Sequence, residues 1–264
     1  MLQFNNIWHF YPESNWILSI TGFAVSSGHV LAIIGPNGSG KTTLLRIAAG
    51  ILKPTKGTVQ IDGKNIGQIK RRIIARTIGY LPQNLTSEYD YTVEELVYMG
   101  RYPYLHGWGT LGSLDLTIIQ ESLEITGMDS LRDRHLSHLS GGERKRAFLA
   151  SVLAQKPKIL LLDEPSAALD IHSGVRFFRL LQKLSQEEDI GVAVVTHDLN
   201  LASLFSDSIL LLHQGRCLSQ GHPNTVLTKE IIQRVYGKDI YMGKHPENDR
   251  PTFIPRIKPE NKKP

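Results

Sequence analysis

The stretch Gly35-Pro36-Asn37-Gly38-Ser39-Gly40-Lys41-Thr42-Thr43 constrains this chain more than any other. It joins the apolar run 30–34 to a segment with helical character, so the order is strand, glycine-rich loop, helix. The pattern is glycine, four residues, then Gly40, Lys41 and a hydroxyl residue. Gly35, Gly38 and Gly40 let the backbone bend until its N–H groups point inward at an anion. The helix that follows aims its positive dipole end at the same charge. Lys41 supplies a cation for the outer phosphates of a nucleotide, and Thr42 offers a hydroxyl to Mg²⁺. Pro36, Asn37, Ser39 and Thr43 complete the loop. Such a unit requires an α/β fold with a parallel strand at its centre.

The rest of the chain agrees. Residues 158–165, "KILLLDEP", read as a continuous apolar strand buried on both faces, as in a parallel sheet. Asp163 and Glu164 fall at its carboxyl end, where ligands of open α/β sheets bind. Asp163 is read as the oxygen partner of a hydrated Mg²⁺, acting through water, and Glu164 as the general base for an attacking water. Further strands are expected at 57–63, 77–83 and 191–197, with a hairpin over 208–221 turning at Gln214-Gly215. Helices are expected at 41–50, from about 166 to Glu188, and at 198–205.

The middle of the chain has a different texture. Thr92 and Glu95 form a capping box for a helix reaching about Gly100. Leu116, Ile119 and Leu123 keep helical spacing, as do Ala147, Phe148, Ala150 and Leu153. Residues 89–157 therefore read as a helical subdomain inserted between strands. Its last helix starts oddly, with "LSGGE". Ser140 and Glu143 make a second capping box, but Gly141 and Gly142 are poor helix formers, each costing ~1 kcal/mol against Ala. They make sense if an anion must approach the backbone there.

Taken in order, "GPNGSGKTT", Gln83 in "LPQN", "LSGGE", "LLLDEP", "SAALD" and "VTHDL" resemble the ATP-binding subunit of an ATP-binding cassette (ABC) transporter over residues 1–240. The resemblance implies a P-loop NTPase fold with a RecA-like core of mainly parallel sheet, an N-terminal antiparallel β portion and an inserted α-helical subdomain. The expected division is a nucleotide-binding domain at 1–241 (core about 1–88 and 158–241, helical subdomain about 89–157) followed by a Pro-rich basic tail at 242–264. It also implies roles. Gln83 contacts the Mg²⁺ and water region, His197 is a switch histidine at the γ-phosphate, and Asp170 lies at a dimer seam. Tyr11 stacks on adenine, although Trp8 and Phe10 lie close by. Ser140, Gly141, Gly142 and Glu143 of one subunit close over ATP held by the phosphate loop of another, which predicts an ATP-dependent homodimer. Many members carry Gln where this chain has Glu143. Arg144, Lys145 and Arg146 either offset that charge or form a solvated face.

The segment 92–105 and the tail "HPENDRPTFIPR" resemble the bacterial importer group for iron–siderophore, haem and cobalamin complexes. The resemblance implies transmembrane permease subunits as partners, indirectly a substrate-binding protein, and a peripheral place on the cytoplasmic face of the cell membrane. Two alternatives are an importer ATPase for another small solute and a soluble cassette ATPase acting on nucleic acid or ribosomes. Only about 80 residues, without heptads, separate Gln83 from Asp163, and there is one cassette, so the soluble reading is disfavoured and no nucleic acid is expected.

Composition excludes little more. No apolar run approaches the ~18 residues of a membrane-spanning helix. The first ten residues lack the pattern of a secretion signal. The lone Cys217 allows no internal disulfide. Of the formal charge of +5, the stretch 243–264 carries +3, from six basic and three acidic residues. With five prolines it reads as an extended or partly ordered segment and not a domain.

Overall fold

The structure, a computed structural model, describes residues 1–12, 16–85, 89–105, 110–167 and 169–257. The chain opens on an antiparallel pair, β1 (Leu2–Phe10) and β2 (Ile17–Val25), then runs through β3 (Val30–Ile34) and the loop 35–40 into α1 (Lys41–Ala48). Next come β4 (Lys56–Ile61), β5 (Lys64–Asn65), α2 (Arg71–Thr77) and β6 (Ile78–Leu81). Three helices, α3 (Val93–Met99), α4 (Ser113–Thr126) and α5 (Gly141–Leu153), separate β6 from β7 (Ile159–Asp163). The alternation then resumes with α6 (Ile171–Glu188), β8 (Gly191–Val195), α7 (Leu199–Phe205), β9 (Ser208–His213) and β10 (Arg216–Gly221). Two helices, α8 (Pro223–Val226) and α9 (Lys229–Tyr236), lead to a hairpin of β11 (Ile240–Lys244) and β12 (Pro251–Pro255).

One sheet runs in the order β5-β4-β1-β2-β10-β9-β3-β8-β7-β6. The stretch from β9 to β6 is parallel, and the β5-β4-β1-β2 end is antiparallel. This is the P-loop NTPase architecture expected from the motif order. The central strands β3, β7 and β8 are buried at every position. Their side chains alternate between two cores, which explains why they read as unbroken apolar runs. Ala32, Ile34, Leu160, Leu162, Val192 and Val194 face Phe177, Phe178 and Leu181 of α6. Leu31, Ile33, Leu161, Ala193 and Val195 share the other core with Leu44, Leu45 and Ile47 of α1 and with Leu2, Phe4 and Ile20 of the antiparallel end. Helix α1 is thus packed against both portions of the sheet, which fixes the loop before it.

The inserted helices have a core of their own, including Val93, Val97, Ile119, Leu123, Met128, Ala147 and Ala150. Buried Arg101 ties it together, donating from Nε to Asp115 at 2.8 Å and from Nη1 to the Ala154 carbonyl at 2.6 Å. The helix expected from Leu116, Ile119 and Leu123 is α4, in which Ile119 and Leu123 are buried and Leu116 is exposed. The buried face of α4 runs through Ile118, Ile119, Ser122, Leu123 and Thr126. Its two hydroxyls are satisfied within the helix, by the carbonyls of Ile118 and Ser122, so polar residues occupy the core side. Of the tail expected at 242–264, the part to Pro255 belongs to a paired hairpin whose first strand, β11, spans the expected 241/242 boundary, and 258–264 lie outside the described residues. Among the described residues, no helix is long and apolar enough to cross a membrane.

Candidate active site

The loop 35–40 leaves the carboxyl end of β3 in a conformation that only glycine tolerates. Gly35, Gly38 and Gly40 have φ of 150°, 76° and 103°. A Cβ on Gly35 would lie 2.1 Å from the Leu212 carbonyl oxygen, and one on Gly40 would lie 2.7 Å from the Trp16 ring. Gly40 is the N-cap of α1 and provides no side-chain cap. The first N–H groups of that helix are therefore left for a ligand. Lys41 is buried, and its ammonium donates to the carbonyls of Gly35 (2.8 Å) and Pro36 (3.1 Å). Burial pulls its pKa down, and the charges of Glu164 and Asp163 oppose that pull. Ser39 is also buried in the loop.

Asp163 ends β7 at 1% exposure. Its Oδ1 accepts the Thr42 hydroxyl at 3.1 Å, across 121 residues of sequence. Its Oδ2 is buried with no hydrogen-bond partner among the described residues. Burial raises its pKa, against the bond from Thr42. An orphaned buried carboxylate oxygen beside a hydroxyl suits a hard cation that takes oxygen ligands. Among the described residues, no cluster of three or more His, Cys, Asp or Glu side chains gathers to hold a metal.

Glu164 adopts φ of 50°, a left-handed conformation rare for a non-glycine residue. Backbone strain of this kind, about 1–3 kcal/mol, concentrates at functional sites. Its N–H donates to the Val195 carbonyl at 3.0 Å, which anchors the turn to β8. Its Oε2 accepts the Gln83 amide at 2.9 Å and lies 3.6 Å from His197 Nδ1. Gln83, Glu164 and His197 thus converge from the ends of β6, β7 and β8. Together with Tyr11, Trp16, Asn37, Gly38, Gly40, Lys41, Thr42 and Thr43 they line a cleft of about 850 Å³.

The aromatic wall of that cleft differs from the sequence reading in one respect. Tyr11 is there, its hydroxyl 3.2 Å from Thr43 Oγ1. Trp16 stands beside it, ring centroids 6.2 Å apart; the sequence analysis missed it. Trp8 instead packs on Phe10 and under Lys56. The cause is a β-bulge at Asn6, where φ is 48° and the pairing of β1 with β4 shifts register. Alternation from Phe4 alone would place Trp8 and Phe10 on the buried face; the extra residue buries Ile7 and His9 instead and leaves Tyr11, two residues on, exposed at the cleft.

The segment 140–143 does not line the cleft. Ser140 caps α5 with a complete capping box. The Glu143 carboxylate accepts from the Ser140 N–H and hydroxyl, both at 2.8 Å, and the Glu143 N–H donates to Ser140 Oγ at 3.3 Å. A Cβ on Gly141 would meet nothing within 4 Å. Lys145 is not on a solvated face: its ammonium donates to the Ala167 carbonyl in the loop after Glu164. Asp170 caps α6, accepting the Ser173 N–H at 2.9 Å and its hydroxyl at 2.7 Å.

Known proteins resemble this chain in sequence and in fold. The family model described as ABC transporter matches residues 18–167. The ferric enterobactin transport ATP-binding protein FepC of Escherichia coli (strain K12) is 39% identical over 231 residues, covering 88% of this chain and 85% of that protein. Among solved structures, a metal-chelate type ABC transporter in an inward-facing conformation superposes with a TM-score of 0.84 at 27% identity, covering 97% of this chain and 98% of that one. A dimeric post-hydrolysis state of the ATP-binding cassette MJ0796, bound to ADP and Pi, superposes with a TM-score of 0.73 at 29% identity over 84% of this chain and 98% of that one. With the phosphate loop, the acidic strand end and the capped glycine pair on one scaffold, the chain belongs to the ABC transporter family and is an ATP-binding ATPase cassette.

Proposed function

We propose that this chain is the ATP-hydrolysing motor of a metal-chelate importer, working as a head-to-tail homodimer on the cytoplasmic face of the cell membrane beneath a separate permease. One observation carries the dimer: the cleft gathers Lys41, Thr42, Gln83, Glu164 and His197 from one chain, with Asp163 behind Thr42, while Ser140–Glu143 stands outside it. A glycine pair whose first member, Gly141, has open space above it is then half of a site whose other half lies on a second copy. The cargo class rests on the kinship with FepC and with the metal-chelate type transporter.

In this reading Tyr11 and Trp16 take the adenine, and the loop N–H groups of 35–43 with Lys41 hold the phosphates. Mg²⁺ would be held by Thr42, by Gln83 and, through water, by Asp163, and would supply charge neutralisation between the β- and γ-phosphates. Glu164, oriented by the Gln83 amide, takes the proton of the attacking water. His197 reads the γ-phosphate from the end of β8. Ser140, Gly141 and Gly142 of the second copy close the site, and Asp170 borders the seam.

Light scattering tests the assembly. Glu164→Gln should lower turnover by about 10²-fold or more while leaving ATP bound. With saturating MgATP its mass should double; a protein that stays monomeric overturns the dimer reading. Uptake of a ferric siderophore by the assembly purified from membranes tests the cargo.

A further inference from the structure

Helix α7 begins two residues after His197, and it has only seven residues. A helix that short has no stability of its own in water. Its position is therefore set by what holds it. At the front, Asp198 Oδ1 accepts the N–H groups of Asn200 and Leu201, both at 2.9 Å. Along one side, Leu199, Leu201 and Ala202 are buried. The remaining grip comes from the far end of the chain. Arg250 Nη1 donates to the carbonyls of Ser203 and Ser206, both at 2.6 Å, at the end of α7 where cationic groups are favoured. Phe253 is buried and exchanges two bonds with the Asn200 amide: its N–H donates to Oδ1 at 2.8 Å, and its carbonyl accepts from Nδ2 at 3.1 Å.

The histidine itself is weakly held. Its side chain is 60% exposed, and its Nδ1 approaches Glu164 at 3.6 Å. Its place is inherited from the backbone between Thr196, whose N–H bonds Ile33 at 3.2 Å, and the start of α7. The front half of that tether is local. The back half is the hairpin.

We propose that the hairpin β11–β12 is a clasp that sets the position of His197 through α7, with Arg250 as its positioning residue and Asn200 as the receiving one. This gives the "HPENDRPTFIPR" segment a task in the ATPase cycle, and it rests on the γ-phosphate role assigned to His197 above. Arg250 touches neither substrate nor reacting atoms. Its effect should appear in turnover and not in nucleotide binding, because the phosphate loop and the aromatic wall are held by other elements.

A double-mutant cycle on the full chain tests this, reading kcat and KM for ATP. Arg250→Ala should lower kcat about fivefold to tenfold with KM within about twofold, and in a His197→Ala background the same change should move the residual rate by less than about twofold. Arg250→Lys should recover part of the loss, since one ammonium can still reach a carbonyl. If Arg250→Ala slows both backgrounds by the same factor, the clasp acts on general stability and the proposal falls. It falls equally if Arg250→Ala leaves kcat within about twofold while His197→Ala is slow. A His197→Ala chain with full turnover would instead remove the role of His197, a separate failure. If Arg250→Ala does not fold, Asn200→Ser enters the same cycle and the same outcomes decide.

Discussion

Two of the glycine-bearing helix N-termini in this molecule, those of α1 and α5, are built in opposite ways. At α1 the N-cap is Gly40 in a left-handed conformation with no side-chain cap. Around it the chain supplies a buried cation, a hydroxyl and a buried carboxylate of its own, in Lys41, Thr42 and Asp163. At α5 the N-cap is Ser140, and its capping box is complete. Above Gly141 no atom of the described residues would come within 4 Å of an added Cβ. The first terminus is unfinished as a helix and finished as a site. The second is finished as a helix and lacks the rest of a site. A complementary pair of this kind is what a nucleotide clamped between two copies requires.

The largest effect should come from closing the first terminus. Gly40→Ala must hold φ of 103° and bring a methyl to 2.7 Å from Trp16 and 2.8 Å from Leu18. We expect ATP binding, measured by titration, to weaken by about 10²-fold or more, because the loop's backbone donors lose their alignment. Unchanged affinity would mean that the loop is not the phosphate cradle.

The second terminus should respond in two directions at once. Gly141→Ala has open space and no positive φ. It should therefore raise the thermal midpoint slightly, by about 1–2 °C, because Ala is the better helix former. In the assembled dimer the same methyl should stand between the backbone and the partner's phosphate, and turnover should fall about tenfold or more. A chain that gained stability and kept its turnover would reduce the α5 terminus to an ordinary cap, and the contrast between the two would dissolve.

How far this contrast could be read from sequence depends on the kind of constraint. The phosphate loop was legible because three glycines, a lysine and a threonine at fixed spacing leave few alternatives. The meeting of Thr42 with Asp163 was legible because parallel strands deliver their ends to one edge. The choice among Trp8, Phe10 and Tyr11 was not, because a single bulge at Asn6 reverses which side chains face in. Trp16 was missed for a related reason: its place beside Tyr11 depends on the register that pairs Phe10 with Ile17. The strain at Glu164 left no trace in its residue type. The hairpin over 240–255 was hidden by its prolines and charges, because its order comes from Asn200 and the carbonyls of α7 and not from its own composition.

The smallest effect concerns Glu143, and it asks whether the second terminus is tuned. Its carboxyl is held below the usual carboxylate range, first by the Ser140 N–H and then by the Ser140 hydroxyl. A carboxylate draws that hydroxyl more strongly than a neutral amide would. The same hydroxyl is the group expected to reach the partner's phosphate, so Glu143 competes with ATP for it. Glu143→Gln should keep the box and relax the competition, tightening ATP-driven dimerisation by about twofold to threefold. The sign with pH follows from the lowered pKa. The stabilising contribution of the box is present above the ordinary glutamate value of about 4.3 and is lost as pH falls through the lower folded-state value. The difference in thermal midpoint between the natural chain and Glu143→Gln should therefore be constant above about pH 5 and should drift in favour of Gln below it. A difference that stayed flat to lower pH would show that the carboxylate contributes no more to the cap than an amide does, and the competition for Ser140 would lose its physical basis.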